Sequence, residues 1–300
     1  MTILVTGASG FLGKKLIIEL SKSKKKIIAI HRSDVDKALL KLANVKWLNI
    51  DLANPGNKLD ALPKIDTVVH LAGATLGAGK EDGIFFNSNE LTTFNMLDKL
   101  SRKCTNFIYA SSQVVYGDVG SLSVSETLEI DVTESAYACS KVNSENWLKW
   151  FQNKSQGSYM SLRFCGFIDG GGLIDYIVDS ALLGRDIELF SNGSIVRDYI
   201  SSQDGINAIL KSIDCIENFK NKYVAINIGS GQTVTALKLA QLIINSVESK
   251  SQITSLNQDG PQGNFILDIS EANKLLGFKP SVMEDEITKY ALKKKKGYEK

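Results

Sequence analysis

The chain has 300 residues, with 35 basic and 33 acidic side chains and a net charge of +2. Its 43% hydrophobic and 23% charged content is that of an ordinary globular protein, and so balanced a charge gives no general reason to expect nucleic acid or a membrane as partner. Cys104, Cys139, Cys165 and Cys215 are scattered without a C-x-x-C pair and have only His31 and His70 for company, so no metal site is expected and the thiols read as free, in a reducing cytoplasm.

Ile3-Leu4-Val5 is a short apolar run closed by glycines, which predicts a buried parallel strand. It stops far short of the roughly 20 residues of a spanning helix, and no signal peptide is expected. Phe11 to Leu20 has helical spacing, with Leu12, Leu16, Ile17 and Leu20 on one face. After the polar turn Lys22 to Lys26, Ile27 to Ile30 reads as a second strand, completing a βαβ crossover. The alternation continues with strands at 45–50, 67–71, 106–110 and 159–164 and helices at 86–100 and 136–151. Such a pattern predicts an α/β, Rossmann-type, doubly wound parallel sheet with helices on both faces.

Beyond Arg163 the pattern loosens. Gly170-Gly171-Gly172 marks a corner, followed by a helix at 176–183, a strand at 224–228 and helices at 235–247 and 272–276, the last ended by Gly277 and Pro280. Residues 1–165 and 197–228 are assigned to a dinucleotide-binding domain, and 166–196 and 229–300 to a smaller α/β substrate-binding cap. The run Lys293-Lys294-Lys295-Lys296 is expected to fray in solvent.

Gly7, Ser9, Gly10, Phe11, Leu12 and Gly13 sit where the first strand becomes the first helix. Glycines let the backbone turn tightly and approach a pyrophosphate, which the N–H groups and positive end of the helix then hold. The loop is therefore a candidate NAD or NADP site. At the end of strand two a carboxylate would suit the ribose 2′-hydroxyl and a basic residue the 2′-phosphate. The residues there are His31, Arg32 and Ser33, which favours NADP(H) over NAD(H).

Tyr137 and Lys141 are four residues apart on a predicted helix, so they share a face. A fixed ammonium lowers a phenol's pKa from near 10 by on the order of 1–3 units. Tyr137 would then exchange a proton with a sugar oxygen as hydride moves to or from the nicotinamide, and Lys141 would also bond the nicotinamide ribose. Ser112 follows the strand at 106–110, at the carboxyl end where such sheets bind ligands, and would hold the reacting oxygen.

The glycine spacing together with Tyr137 and Lys141 resembles an extended short-chain dehydrogenase/reductase of the NAD-dependent epimerase/dehydratase family. Asp51-Leu52, His70-Leu71-Ala72-Gly73, Asn89, Arg197-Asp198-Tyr199-Ile200, Asn227-Ile228-Gly229-Ser230-Gly231 and Leu276-Gly277-Phe278-Lys279-Pro280 resemble further motifs of that family. The resemblance implies that Ser112, Tyr137 and Lys141 are catalytic. It implies cofactor contacts from Asp51, Leu52, Leu71, Ala72, Gly73, Asn89 and Cys165. Thr75 and Gly166 would border the sugar, and Arg197 would pair with the diphosphate of a nucleoside-diphosphate sugar.

Departures from the family pattern narrow the reaction. Gln113 and Val114 stand where 4,6-dehydratases carry Asp-Glu, so dehydration is set aside. Gly166 replaces an asparagine, and no arginine occurs near Pro261-Gln262-Gly263, unlike uridine-diphosphate sugar epimerases. The expectation is an NADPH-dependent 4-ketoreductase of a nucleotide-linked 4-keto-6-deoxyhexose, of the kind that serves polysaccharide biosynthesis. A 4-epimerase with tightly held NAD is the alternative, and an idle NADP-sensing regulator a remote one. A homodimer through the helices at 86–100 and 136–151 is expected, with Trp147, Trp150 and Phe151 as its seam or else packed on their own sheet.

Overall fold

The computed structural model describes residues 1–77, 81–117, 119, 123–130, 135–155, 157–256, 258 and 266–298. The absent arginine near residues 261–263 falls outside that range. Seven strands form one sheet: β1 (Thr2–Thr6), β2 (Lys26–His31), β3 (Val45–Asn49), β4 (Ile65–His70), β5 (Cys104–Ser112), β6 (Ser158–Phe164) and β7 (Tyr223–Ile228). Their order is β7-β6-β5-β4-β1-β2-β3. β1 pairs in parallel with both β2 and β4, β2 with β3, and β4 with β5. This is the doubly wound Rossmann order, whose switch point lies between β1 and β4. Strands covered on both faces need continuous apolar runs, and Ile3, Leu4, Val5, Val68 and Val69 are wholly buried.

α1 (Phe11–Ser21) follows β1 and buries Gly13, Leu16, Ile17 and Leu20. The expected helix from 86 to 100 is not a single α-helix. A short turn at Gly83–Phe85 leads into a π-helix at Phe86–Leu91, and only then comes α2 (Thr92–Leu100). The π segment contains Asn89, whose carbonyl accepts from the hydroxyls of Thr92 and Thr93. Such widened turns cluster at functional sites. α3 (Ala136–Ser155) carries Tyr137 and Lys141.

The chain divides into two compact units. The first comprises Met1–Gly117, Glu129–Arg163 and Ile206–Ile226; the second comprises Asp118–Leu128, Phe164–Gly205 and Asn227–Lys300. The second unit thus takes 118–128, 164–165, 197–205 and 227–228, which the sequence reading places in the dinucleotide-binding part. Two-residue bridges tie them there: Ser123–Val124 pairs with Ile266–Leu267, and Arg197 with Val234. Bridges so short leave no periodicity to read. The remaining helices are α4 (Leu173–Leu182), α5 (Ser202–Cys215), α6 (Ala236–Val247), α7 (Ser270–Leu276) and α8 (Met283–Tyr298). Ile177, Val178, Leu239, Ile243 and Ile287 from α4, α6 and α8 centre the second unit's core.

The lysine run does not fray. α8 continues through it, Lys294 pairs with Asp175 and Asp179, and Lys295 donates to the Val247 carbonyl near the end of α6. Cations suit a helix C-terminus, and two carboxylates on α4 fix the neighbouring lysine. No helix among the described residues is long and apolar enough to cross a membrane.

Candidate active site

The first unit holds a cavity of about 320 Å³ at the carboxyl end of β1, β2 and β4. Gly7 and Gly10 form its floor. Gly7 has φ +62°, and a Cβ there would lie 2.7 Å from the Ala72 nitrogen, so both conformation and space require glycine. Gly13 is a packing residue, since a Cβ would come within 2.1 Å of the Gly7 oxygen. The first turn of α1 has neither a side-chain cap nor an acidic residue. Its N–H donors and positive dipole end therefore suit a pyrophosphate, and the cavity fits a dinucleotide seated on the glycine turn.

Ser9, Asp51, Leu52, Ala72 and Gly73, the cofactor candidates, line this cavity, and so does Thr75, which the resemblance assigned to the sugar. His31, Arg32 and Ser33 close it beyond β2. Arg32 and Ser33 are exposed, and Arg32 makes no ion pair among the described residues. His31 is half-buried, with Nδ1 2.9 Å from the Ser33 oxygen and its ring edge-on to Trp47. Sequence reasoning missed Ile30, Ile50, Ala74, Ile84, Ser88 and Thr92, which also line it. Ser88 and Thr92 sit either side of the π-helix end, where a regular 3.6-residue reading misplaces faces. Phe11 is exposed beneath the Lys15 ammonium, Leu12 is half-buried, and Leu71 abuts Gly7.

Asn89 is buried. Its amide donates to Ser140 Oγ at 2.9 Å, and its carbonyl oxygen accepts from the Ala74 N–H at 2.6 Å. It thus joins the loop after β4 to α3. His70, wholly buried, lies between Thr6 Oγ1 at 2.7 Å and Thr93 Oγ1 at 3.1 Å. Burial, with Lys141 adding to it, lowers its pKa to about 3, so it is neutral.

Ser112 ends β5 and caps the short 3-10 turn Gln113–Tyr116. Its hydroxyl faces Tyr137, which is 8% exposed. Burial pushes the Tyr137 phenol up, and Ser112 offsets this only in part. This differs from the expectation that Lys141 would bring the phenol down. The ammonium is directed elsewhere: Lys141 Nζ donates to the Ala110 carbonyl at 2.8 Å and stands 5.9 Å from the Tyr137 ring centre. The protein by itself therefore keeps the phenol protonated. Burial brings Lys141 down to about 8, with Glu145 opposing. Gly73 links the cavity to this set, since a Cβ there would lie 3.7 Å from Lys141 Nζ.

One helical turn after Lys141, Glu145 forms a buried two-pronged pair with Arg163, at 3.1 Å from Nε and 2.7 Å from Nη2. The two side chains are 1% and 3% exposed. Removing either partner would strand a charge, at a cost on the order of 3–5 kcal/mol. Two signals point to this pair: the helical spacing after Lys141, and an arginine inside β6, a strand that is buried throughout.

Cys165, Gly166 and Arg197 belong to the second unit. The Cys165 thiol is buried and pushed well up by that burial. A Cβ on Gly166 would meet the Tyr199 ring at 2.6 Å, so that ring fills the space an asparagine would need. Arg197 is half-buried, with Nη1 2.9 Å from the Val196 oxygen. Its neighbour Asp198 accepts from the Ser230 N–H at 2.9 Å, and a Cβ on Gly229 would come within 2.4 Å of the same carboxylate. The two late motifs are thus one hydrogen-bonded structure.

The model of the NAD dependent epimerase/dehydratase family matches residues 3–229. A dTDP-4-dehydro-6-deoxyglucose reductase of Escherichia coli is 28% identical over 306 residues, covering 95% of this chain and 94% of its own. A putative UDP-glucose 4-epimerase of Methanocaldococcus jannaschii is 24% identical over 294 residues, covering 93% of each. The solved UDP-glucuronic acid 4-epimerase of Bacillus cereus, in complex with UDP-glucuronic acid and NAD, shares the fold with a TM-score of 0.87 at 22% identity, over 99% of this chain and 100% of that one. With the matched span running from β1 through the glycine turn, Ser112 and the Tyr137–Lys141 turn to β7, the chain belongs to the NAD-dependent epimerase/dehydratase family and is an enzyme of the short-chain dehydrogenase/reductase type.

Proposed function

We propose that this enzyme reduces the 4-keto group of a nucleoside-diphosphate 4-keto-6-deoxyhexose with NADPH, in the cytoplasm. The observation that carries the reading is the buried Tyr137 phenol, kept protonated beside Ser112. A ketone reduction consumes a proton at its oxygen, and a protonated phenol is the form that delivers one. When bound, the reduced nicotinamide supplies the hydride to the carbonyl carbon. Ser112 Oγ donates to the carbonyl oxygen and orients it, and Tyr137 then passes its proton to that oxygen. Lys141 stabilises the phenolate left behind, and its ammonium also suits the nicotinamide ribose. Arg197 is assigned to the diphosphate, which a two-pronged cation suits.

Arg32 and Ser33, exposed in the cavity wall with no carboxylate between them and β2, support NADP(H) over NAD(H). Reductases among the relatives favour reduction as the reaction, while the solved Bacillus cereus neighbour holds NAD. The second reading, 4-epimerisation with retained NAD, draws on the epimerase relatives and neighbours. Mixing the protein with NADPH and a 4-keto sugar nucleotide separates the two. Loss of the reduced-nicotinamide absorbance supports reduction; no loss, with NAD carried through purification, supports epimerisation.

The enzyme is further proposed to be a homodimer. Phe151 is 2% exposed in the sheet's own core, and Trp147 packs against that core with its indole N–H 3.3 Å from Glu90. Trp150, at 50% exposure, is the indole left for a seam.

A further inference from the structure

Glu145 Oε1 accepts from the Ser111 hydroxyl at 2.6 Å and from Arg163 Nε. Its Oε2 accepts from Arg163 Nη2 and from the Tyr223 hydroxyl at 3.0 Å. Arg163 Nη1 donates to the Tyr116 hydroxyl at 2.9 Å. Ser111 immediately precedes Ser112, and Tyr116 ends the turn that Ser112 caps. The side chains on both sides of Ser112 are therefore tied to one carboxylate on the helix that carries Tyr137 and Lys141, Ser111 directly and Tyr116 through Arg163.

We propose that Glu145 and Arg163 are positioning residues: together they clamp the Ser112 segment onto α3, and Glu145 supplies the counter-charge that keeps Lys141 an ammonium. The inference rests on Ser112, Tyr137 and Lys141 being the reacting set. Tyr137 and Glu145 face Lys141 from α3, His70 from β4 and Tyr109 from β5, whose ring lies 4.8 Å below Nζ. His70 is neutral, and burial holds the Tyr109 phenol far above its ordinary value. Burial lowers the ammonium's proton affinity, and Glu145, one helical turn away with Arg163 behind it, is the charge that opposes this. A buried pair that is fully hydrogen-bonded suits such a role because its geometry is fixed before substrate arrives.

The test compares Glu145→Gln, Glu145→Asp and Ser111→Ala in the full chain, with NADPH and a 4-keto sugar nucleotide across pH. Glu145→Gln is expected to move the alkaline limb of kcat about one pH unit lower and to cut kcat roughly tenfold or more, with KM for NADPH changed less than about threefold. Glu145→Asp keeps the charge, so its limb stays in place while its rate falls. Ser111→Ala lowers kcat severalfold without moving the limb. A folded Glu145→Gln with the wild-type limb and rate overturns the inference. If that variant does not fold, Ser111→Ala and Arg163→Lys decide: lowered kcat at unchanged KM supports the clamp, and wild-type kcat overturns it. Lys141 can also be titrated without substrate by NMR of 13C-lysine protein, with Lys141→Met identifying its signal. A lower Lys141 pKa in Glu145→Gln supports the counter-charge, and an unchanged one overturns it. An inactive wild-type enzyme whose Lys141 still responds would instead reject the assigned reaction.

Discussion

The carboxyl ends of β2 and β5 are built in opposite ways. Beyond β2, Arg32 and Ser33 stand exposed, and the Arg32 guanidinium is committed to no carboxylate among the described residues. Around the end of β5, Ser111, Lys141 and Glu145 of α3, and Arg163 of β6 are buried and hydrogen-bonded to one another or to the backbone. A side chain in water is exchanged at little cost, whereas a buried network tolerates no lost member without stranding a polar group. The choice of dinucleotide thus rests on residues that are cheap to alter, and the chemistry on residues that are not.

The largest effect is expected at the buried end. Tyr137→Phe should lower kcat on the order of 10²–10⁴-fold, with the dissociation constant for NADPH, read by fluorescence titration, within a few-fold of wild type. Comparable turnover would erase the distinction between the two strand ends. Next is acid sensitivity at the core of the ordered region. His70 has its pKa depressed to about 3 when folded, so the unfolded chain binds that proton first. Stability is fully present above pH ~6.5 and falls as pH drops towards ~3. Denaturant unfolding at pH 4.5 should show a loss of about 2–3 kcal/mol from this group, and His70→Gln should lack it. An identical pH slope in the variant would contradict the buried, neutral assignment.

At the open end, Arg32→Ala should raise KM for NADPH roughly 10- to 100-fold, the worth of a charge-assisted contact, and leave KM for NADH within about twofold, with melting temperature unmoved. Equal effects on both cofactors would mean that Arg32 reads something other than the 2′-phosphate. The smallest effect on chemistry is expected at Trp150. Trp150→Glu should convert a dimer to a monomer by sedimentation while kcat stays within about threefold, as for an exposed position. An unchanged mass would remove Trp150 from any seam.

The difference between the two ends also explains what could be read from sequence. The strands with continuous apolar runs, the glycine turn and the Tyr137–Lys141 spacing are local signals, and the doubly wound sheet follows from them. The helix at 86–100 is legible but its π turn is not, because threonine hydroxyls at 92 and 93 on the Asn89 main-chain oxygen and the Asn89 side chain's bonds leave the hydrophobic spacing unchanged. The lysine run was misread because its acidic partners, Asp175 and Asp179, lie more than a hundred residues away. Glu145 and Arg163 hid for a related reason. Each looks like a surface charge until β6 and α3 are packed together. Contacts formed across the fold leave a trace in one sequence only as an oddity, such as a charge in an apolar strand.

The central claim is that the cofactor's hydride ends up on the sugar. Its most direct measurement uses NADPH deuterated at C4 of the nicotinamide, incubated with the enzyme and a nucleoside-diphosphate 4-keto-6-deoxyhexose, followed by mass spectrometry of the sugar nucleotide. The account predicts one deuterium in the product, in proportion to the NADP+ formed. A sugar nucleotide that turns over without gaining deuterium or consuming NADPH would contradict it.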